Sequence, residues 1–222
     1  MTGMPPGLEN KNDVEENKMI GMMDELTELQ TSALKEIVNI GVGNAVTALS
    51  KMIGTQISIE VPELKIEKIE EVPERAGGAD TVVSGVIMHV NGDINGYIMM
   101  LLSRETAETI CTTITGEEVP DILDPMNQSL IEEVGHILAG SYVSSLSEFL
   151  ALDFMISPPM QTYDMLGAIM DQILIEMSRN VEHTFLFDTF FTMQGNRMEG
   201  ILLTLFDPES MDRILSRINE MV

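Results

Sequence analysis

The sequence predicts an α/β protein of the α+β type. It should be one mostly antiparallel sheet with helices packed over it, built from two related halves. Three observations lead there. A helix-like segment occurs twice, as SALKEIVNIGVGNAVTALSKMIG from Ser32 and SLIEEVGHILAGSYVSSLSEFLA from Ser129. Each copy is followed by strand-like runs, a hairpin signal and a closing amphipathic helix. The chain has 222 residues, and neither half alone carries a comfortable core, so the halves are expected to share one.

Residues 1–23 are polar, acidic and rich in Gly and Pro, and read as a mobile tail. The first periodic segment spans about Asp24 to Ile53, with Thr27 as a plausible cap. QISIEV (56–61) alternates like a strand and ends at Pro62. TVVSGVIMHV (81–90) and YIMMLL (97–102) flank NGDING and predict a hairpin. SRETAETICTTITG then reads as a helix stopping at Gly116.

Residues 117–125, with two prolines, read as the linker between halves 24–116 and 126–222 of one domain. The second half opens with a helix from about Asn127 to Ala151, and DFMIS leads to Pro159. DMLGAIMDQILIEMSR (164–179) predicts an extra helix without an obvious equal in the first half. HTFLFDTFFTM (183–193) reads as a strand, QGNRMEG as its turn and ILLTLF (201–206) as the return. A last helix follows, with Asp207 as its expected N-cap. The offset between halves is 97 residues at the first helices and 104 at Gly96/Gly200 and Leu101/Leu205. About seven residues are therefore inserted in the middle of the second half.

Composition removes several function classes. The 36 acidic and 12 basic residues give a net charge of -24 and no dense basic cluster. Nucleic acid and anionic membrane surfaces are thus unsuitable partners. No apolar run approaches the roughly 18 residues of a membrane span, and no secretory signal pattern opens the chain. Cys111 is the only cysteine and sits in the apolar run AETICTTI, so it reads as a small buried hydrophobe. A reducing, cytoplasmic setting is expected. His89, His136 and His183 have no Cys or His companions, so no metal site is expected, and His89 and His183 fall in strand patterns.

The repeated helix carries more than a core. At about 100° per residue, Ser32, Glu36, Asn39, Gly43 and Ser50 fall in one narrow wedge. Leu34, Ile37, Gly41, Ala45, Ala48 and Met52 fall opposite. Ser129, Glu133, His136, Gly140 and Ser147 repeat the wedge at offset 97. An ordinary solvated face explains one such spacing but not its recurrence. Asn39 is a poor mid-helix residue, and Gly41 and Gly43 each cost about 1 kcal/mol relative to Ala. Close packing or close docking would offset that cost, and Gly43 would let another backbone approach. A Glu and an Asn three apart converge on one point. The amide can hold a water and the carboxylate can pair with a lysine. There is no Ser-His-Asp order, no phosphate loop and no reactive thiol, so the pair suits insertion into another protein's active site.

Ser32-x3-Glu36-x2-Asn39, followed by 22 residues and then Pro62, resembles the signature of the CheC/CheX/FliY phosphatases of prokaryotic chemotaxis. That signature runs Asp or Ser, three residues, Glu, two residues, Asn, 22 residues, Pro. The segment EIVNIGVGNAVTALS is similar to the family's typical helix, and the two copies span nearly the whole chain beyond the tail. The resemblance implies a phosphatase acting on the aspartyl phosphate of a CheY-like response regulator, which brings its own Mg²⁺. Asn39 would orient the attacking water and Glu36 would pair with the regulator's active-site lysine. Ser32, Gly43 and Ser129 would lie in the docking face. It also implies binding of CheD, a receptor-modifying deamidase that can raise the activity. His136 stands where the signature has Asn, so the Glu133–His136 copy is expected to be weak. Two other readings remain open: a CheD-binding adaptor with little catalysis, and a component of the flagellar or archaellar switch.

Overall fold

A computed structural model describes residues 27–61, 64–119, 121–177, 183–193 and 195–221. The acidic tail and Pro62 lie outside the described residues. The first long helix, α1 (Glu28–Ile53), starts at a capping box. The Thr27 hydroxyl accepts the Gln30 N–H, and the Gln30 side chain accepts the Thr27 N–H in return. Its counterpart α4 (Pro125–Leu150) starts two residues before the expected Asn127, on an Asp124 cap with Pro125 at its first turn. The closing helices are α3 (Arg104–Thr115) and α6 (Pro208–Met221). Ser103 caps the former and Gly116 ends it in the left-handed conformation. The Asp207 carboxylate accepts the Ser210 N–H at 2.7 Å, as expected of an N-cap.

Eight strands form one sheet: β1 (Ile57–Glu60), β2 (Leu64–Lys68), β3 (Val82–Gly92), β4 (Gly96–Ser103), β5 (Phe154–Ile156), β6 (Met160–Met165), β7 (His183–Met193) and β8 (Asn196–Phe206). The order is β1-β7-β8-β4-β3-β5, with β2 also on β7 and β6 also on β3. Every pairing is antiparallel. The halves exchange strands. β1 and β2 from the first half pair with β7 of the second, and β5 and β6 pair with β3 of the first. The central seam β4–β8 sets Gly96 opposite Phe206 and Leu102 opposite Gly200. These are equivalent pairs at the offset of 104, so a pseudo-twofold axis passes through the seam.

Both sheet faces are covered. Val86, Met88, Ile98, Met100, Leu102 and Leu202 pack beneath α1, α3, α4 and α6. Alternate residues Ile87, Met99, Leu101, Leu203 and Leu205 pack on the other face. There they meet a 3₁₀ turn (Ile69–Glu71), a one-turn helix α2 (Val72–Arg75) and α5 (Leu166–Glu176). Burial on two faces explains why β3 and β4 read as continuous apolar runs rather than alternating ones.

Three sequence expectations need correction. The extra helix starts at Leu166, not residue 164, because Met160–Met165 completes β6. It also has an equal in the first half. β2 and β6 keep the 97-residue offset, and the 3₁₀ turn with α2 follows β2 as α5 follows β6, so the counterpart is present but short. The return strand β8 begins at Asn196 rather than residue 201, because the β7–β8 hairpin runs on to the Met193–Asn196 pair. The β3–β4 ladder stops at Val90–Gly96. Part of the seven-residue difference therefore lengthens a hairpin.

Candidate functional site

Helices α1 and α4 pack on one another over the sheet. The core face of α1 is set by Leu34, Ile37, Ala45 and Leu49, all buried. Gly41 is buried as well, and a Cβ there would stand 2.9 Å from the Tyr142 Cα on α4. Met52, expected on the core face, is exposed near the helix end.

The opposite side of α1 is open. Ser32, Glu36, Asn39 and Gly43 are all exposed. Among the described residues, no hydrogen bond or ion pair engages the Glu36 carboxylate or the Asn39 amide. A Cβ at Gly43 would meet nothing within 4 Å. The packing of this chain therefore explains Gly41 and leaves Gly43 without an internal reason. On α4, Ser129, Glu133 and His136 are likewise exposed. Glu133 and His136 also make no hydrogen bond among the described residues. Gly140 is half-buried, with Ile156 of β5 3.7 Å from its would-be Cβ.

The last member of each wedge has a different purpose. Ser50 is half-buried, and its hydroxyl accepts the Ile57 N–H at 3.3 Å. Ser147 donates to the Leu152 carbonyl at 2.6 Å. Both serines tie a helix end to the segment that follows it. Their recurrence is structural, and the exposed stripe is Ser-Glu-Asn-Gly on α1 and Ser-Glu-His on α4.

Other candidates take no part. Cys111 is buried, its thiol lies 3.6 Å from the Asn127 carbonyl, and burial pushes its pKa up to about 11. That thiol is protonated at neutral pH and shielded. The His89 ring lies 4.8 Å from that of Tyr97, whose hydroxyl donates to Glu176 at 2.6 Å. No group of three or more His, Cys, Asp or Glu could hold a metal ion among the described residues. Nor is any of their helices long and apolar enough to cross a membrane. Two clefts of about 420 and 300 Å³ border α3 and β8, and neither contains a stripe residue. The stripe residues are exposed on a helix surface.

Comparison with known proteins places this architecture among the chemotaxis phosphatases. Residues 29–66 match the model of the CheC-like family, and residues 84–174 match that of the chemotaxis phosphatase CheX. The chain is 30% identical over 195 residues to the CheY-P phosphatase CheC of Bacillus subtilis, covering 85% of this chain and 93% of that protein. It is 23% identical over 140 residues to the flagellar motor switch phosphatase FliY of B. subtilis, covering 62% of this chain and 36% of that protein. The crystal structure of Thermotoga maritima FliY superposes with a TM-score of 0.71 at 22% identity, covering 88% of this chain and 98% of that one. FliM from a FliM–SpeE complex of Helicobacter pylori superposes with a TM-score of 0.66 at 11% identity, covering 88% and 97%. Those two structures share the fold. At the identity and coverage found with B. subtilis CheC, the chain belongs to the CheC-like family.

Proposed function

We propose that this protein is a phosphatase for a phosphorylated CheY-like response regulator, and that α1 carries the principal site. Membership of the CheC-like family supports the reaction class. One observation supports the site: Glu36 and Asn39 stand exposed one turn apart, with no partner holding either within the described residues. Two polar groups so placed are available to a second protein.

In this reading the regulator supplies the aspartyl phosphate, the Mg²⁺ and a lysine. Glu36 pairs with that lysine and fixes the register of the complex. The Asn39 amide enters the regulator's site and accepts one hydrogen of a water while leaving its oxygen directed at phosphorus. The water oxygen forms the new P–O bond, the bond to the aspartyl oxygen breaks, and inorganic phosphate and a free carboxylate result. Most of the barrier reduction comes from positioning the water and from charges already present in the regulator. Gly43 leaves room beside Asn39 for the partner's backbone, and Ser32 and Ser129 border the two docking faces. In this reading the protein acts in the cytoplasm, beside its regulator.

At the second site His136 replaces the amide. An imidazole has one acceptor nitrogen when neutral and none when protonated. Glu133 can still pair with a regulator lysine, so this site docks a regulator but hydrolyses weakly. CheD binding is a further element of the proposal, tested by co-purification with a purified CheD. Loss of phosphoryl from purified phospho-regulator is the deciding assay. Asn39→Ala should slow it about 100-fold, the cost of a misplaced reactant, and Glu36→Lys should abolish productive docking. Tight CheD binding without any acceleration by the wild-type protein would instead favour the adaptor reading.

A further inference from the structure

Ile40 follows Asn39 directly and lies about 40° round the helix from Glu36. It is 47% exposed. Its equivalent at the 97-residue offset is Ile137, which is half-buried and packs against the main core. Ile40 is exposed instead, although both helices use the same backbone register. An isolated exposed isoleucine is unremarkable on its own. This one stands one turn from Glu36, with Asn39 on the other side of that carboxylate and neither engaged among the described residues, and its neighbours on the next turn are the exposed Asn44 and Gly43, the latter with empty space before it.

We propose that Ile40 is an apolar anchor that seats the regulator on α1, a positioning residue beside Glu36 and Asn39; this rests on the function proposed above. A protein that admits both Glu36 and Asn39 must cover Ile40, because the three side chains share little more than one turn. Covering it removes apolar surface from water without any change in the folded enzyme. Such a contact forms on docking and is the same before and after the chemical step. It is uniform binding, so it moves KM and leaves kcat alone. The α4 stripe lacks this anchor, since Ile137 is already committed to the core.

The test compares Ile40→Ala, Ile40→Leu, Ile137→Ala and Met52→Ala in the full chain. Dephosphorylation kinetics, thermal unfolding and calorimetric binding of the beryllofluoride-activated regulator are followed for each. Ile40→Ala should raise KM and the dissociation constant about tenfold, equal to about 1.4 kcal/mol, with kcat and Tm nearly unchanged. Ile40→Leu should restore binding. Met52→Ala, at an exposed apolar residue (39%) outside the stripe, should behave as wild type. Ile137→Ala should lower Tm and leave KM alone. Unchanged binding in Ile40→Ala, or a fall in Tm that accounts for the loss, overturns the anchor. Equal hydrolysis by wild type and Asn39→Ala overturns the activity reading instead, and the binding measurement then still decides on Ile40.

Discussion

Met99 of β4 pairs with Leu203 of β8, its own equivalent in the other half. Both are fully buried. An antiparallel pair of equivalent residues is what a twofold axis through a sheet requires. Strand exchange outside that seam makes the dependence mutual, because among the described residues β1 and β2 pair only with β7 and β6 only with β3. Neither half should therefore fold as a monomer. Residues 24–116 expressed alone are expected to show no cooperative unfolding as a monomer, and co-expression with 117–222 should restore it. A folded, monomeric half by circular dichroism and sedimentation would refute this.

Gly41 and Gly43 are two residues apart and should respond oppositely. Gly41→Ala forces a methyl group to within 2.9 Å of the Tyr142 backbone. Overpacking of this kind costs about 1–3 kcal/mol, read as a lowered urea midpoint. Gly43→Ala meets open space and improves helix propensity, so it should stabilise by up to about 1 kcal/mol. Its penalty should fall on the regulator, as weaker docking.

Gly54 ends α1 in the left-handed conformation at φ 70, and Ala151 ends α4 in the same way at φ 51. The two positions are equivalent at the 97-residue offset. Alanine is disfavoured in that region by about 1 kcal/mol or more, while glycine loses more freedom on folding. The net expectation for Ala151→Gly is a gain of about 0.5–1 kcal/mol. The reverse change, Gly54→Ala, should cost a similar amount, and thermal denaturation of both variants measures the pair.

Stability should fall in alkali for an identifiable reason. Burial raises Cys111 to about 11 and Tyr97 to about 12, the latter aided by its hydrogen bond to Glu176, and burial also raises Tyr142. A group whose folded pKa lies above its unfolded value stabilises the fold below the unfolded pKa. That contribution is lost as pH rises towards the folded one. The loss should begin near pH 9 with the thiol and continue through about 12 with Tyr97. Urea titrations across this range should show it, with a shallower onset in Cys111→Ala. A thiol reagent at neutral pH should leave native Cys111 unmodified until the chain unfolds.

The repeat was legible because two long helices carried it at a constant offset, with polar residues that a core does not demand. The offset of 104 makes Met99 and Leu203 equivalent, and the structure adds that the two are paired across the seam. Strands β2 and β6 were not legible. LKIEK alternates over only four residues inside a highly charged stretch, and MQTYDM carries polar residues at adjacent positions. Their partners on β7 and β3 make them strands. In the stripe, Ser50 and Ser147 were grouped with the docking residues by angle alone. Angle does not reveal that a serine at a helix end can hydrogen-bond the departing chain. Helical angle did separate Gly41, on the core face, from Gly43, in the wedge, and the position of α4 supplies the reason for Gly41.

Under the proposed function, two similar helix faces carry unequal chemistry, with Asn39 active and His136 a weak substitute. Dephosphorylation of one purified phospho-regulator by wild type, Asn39→Ala and His136→Ala tests it directly. Asn39→Ala should lose nearly all acceleration while His136→Ala keeps nearly all of it. Retained hydrolysis in Asn39→Ala together with loss in His136→Ala would contradict it and move the active site to α4.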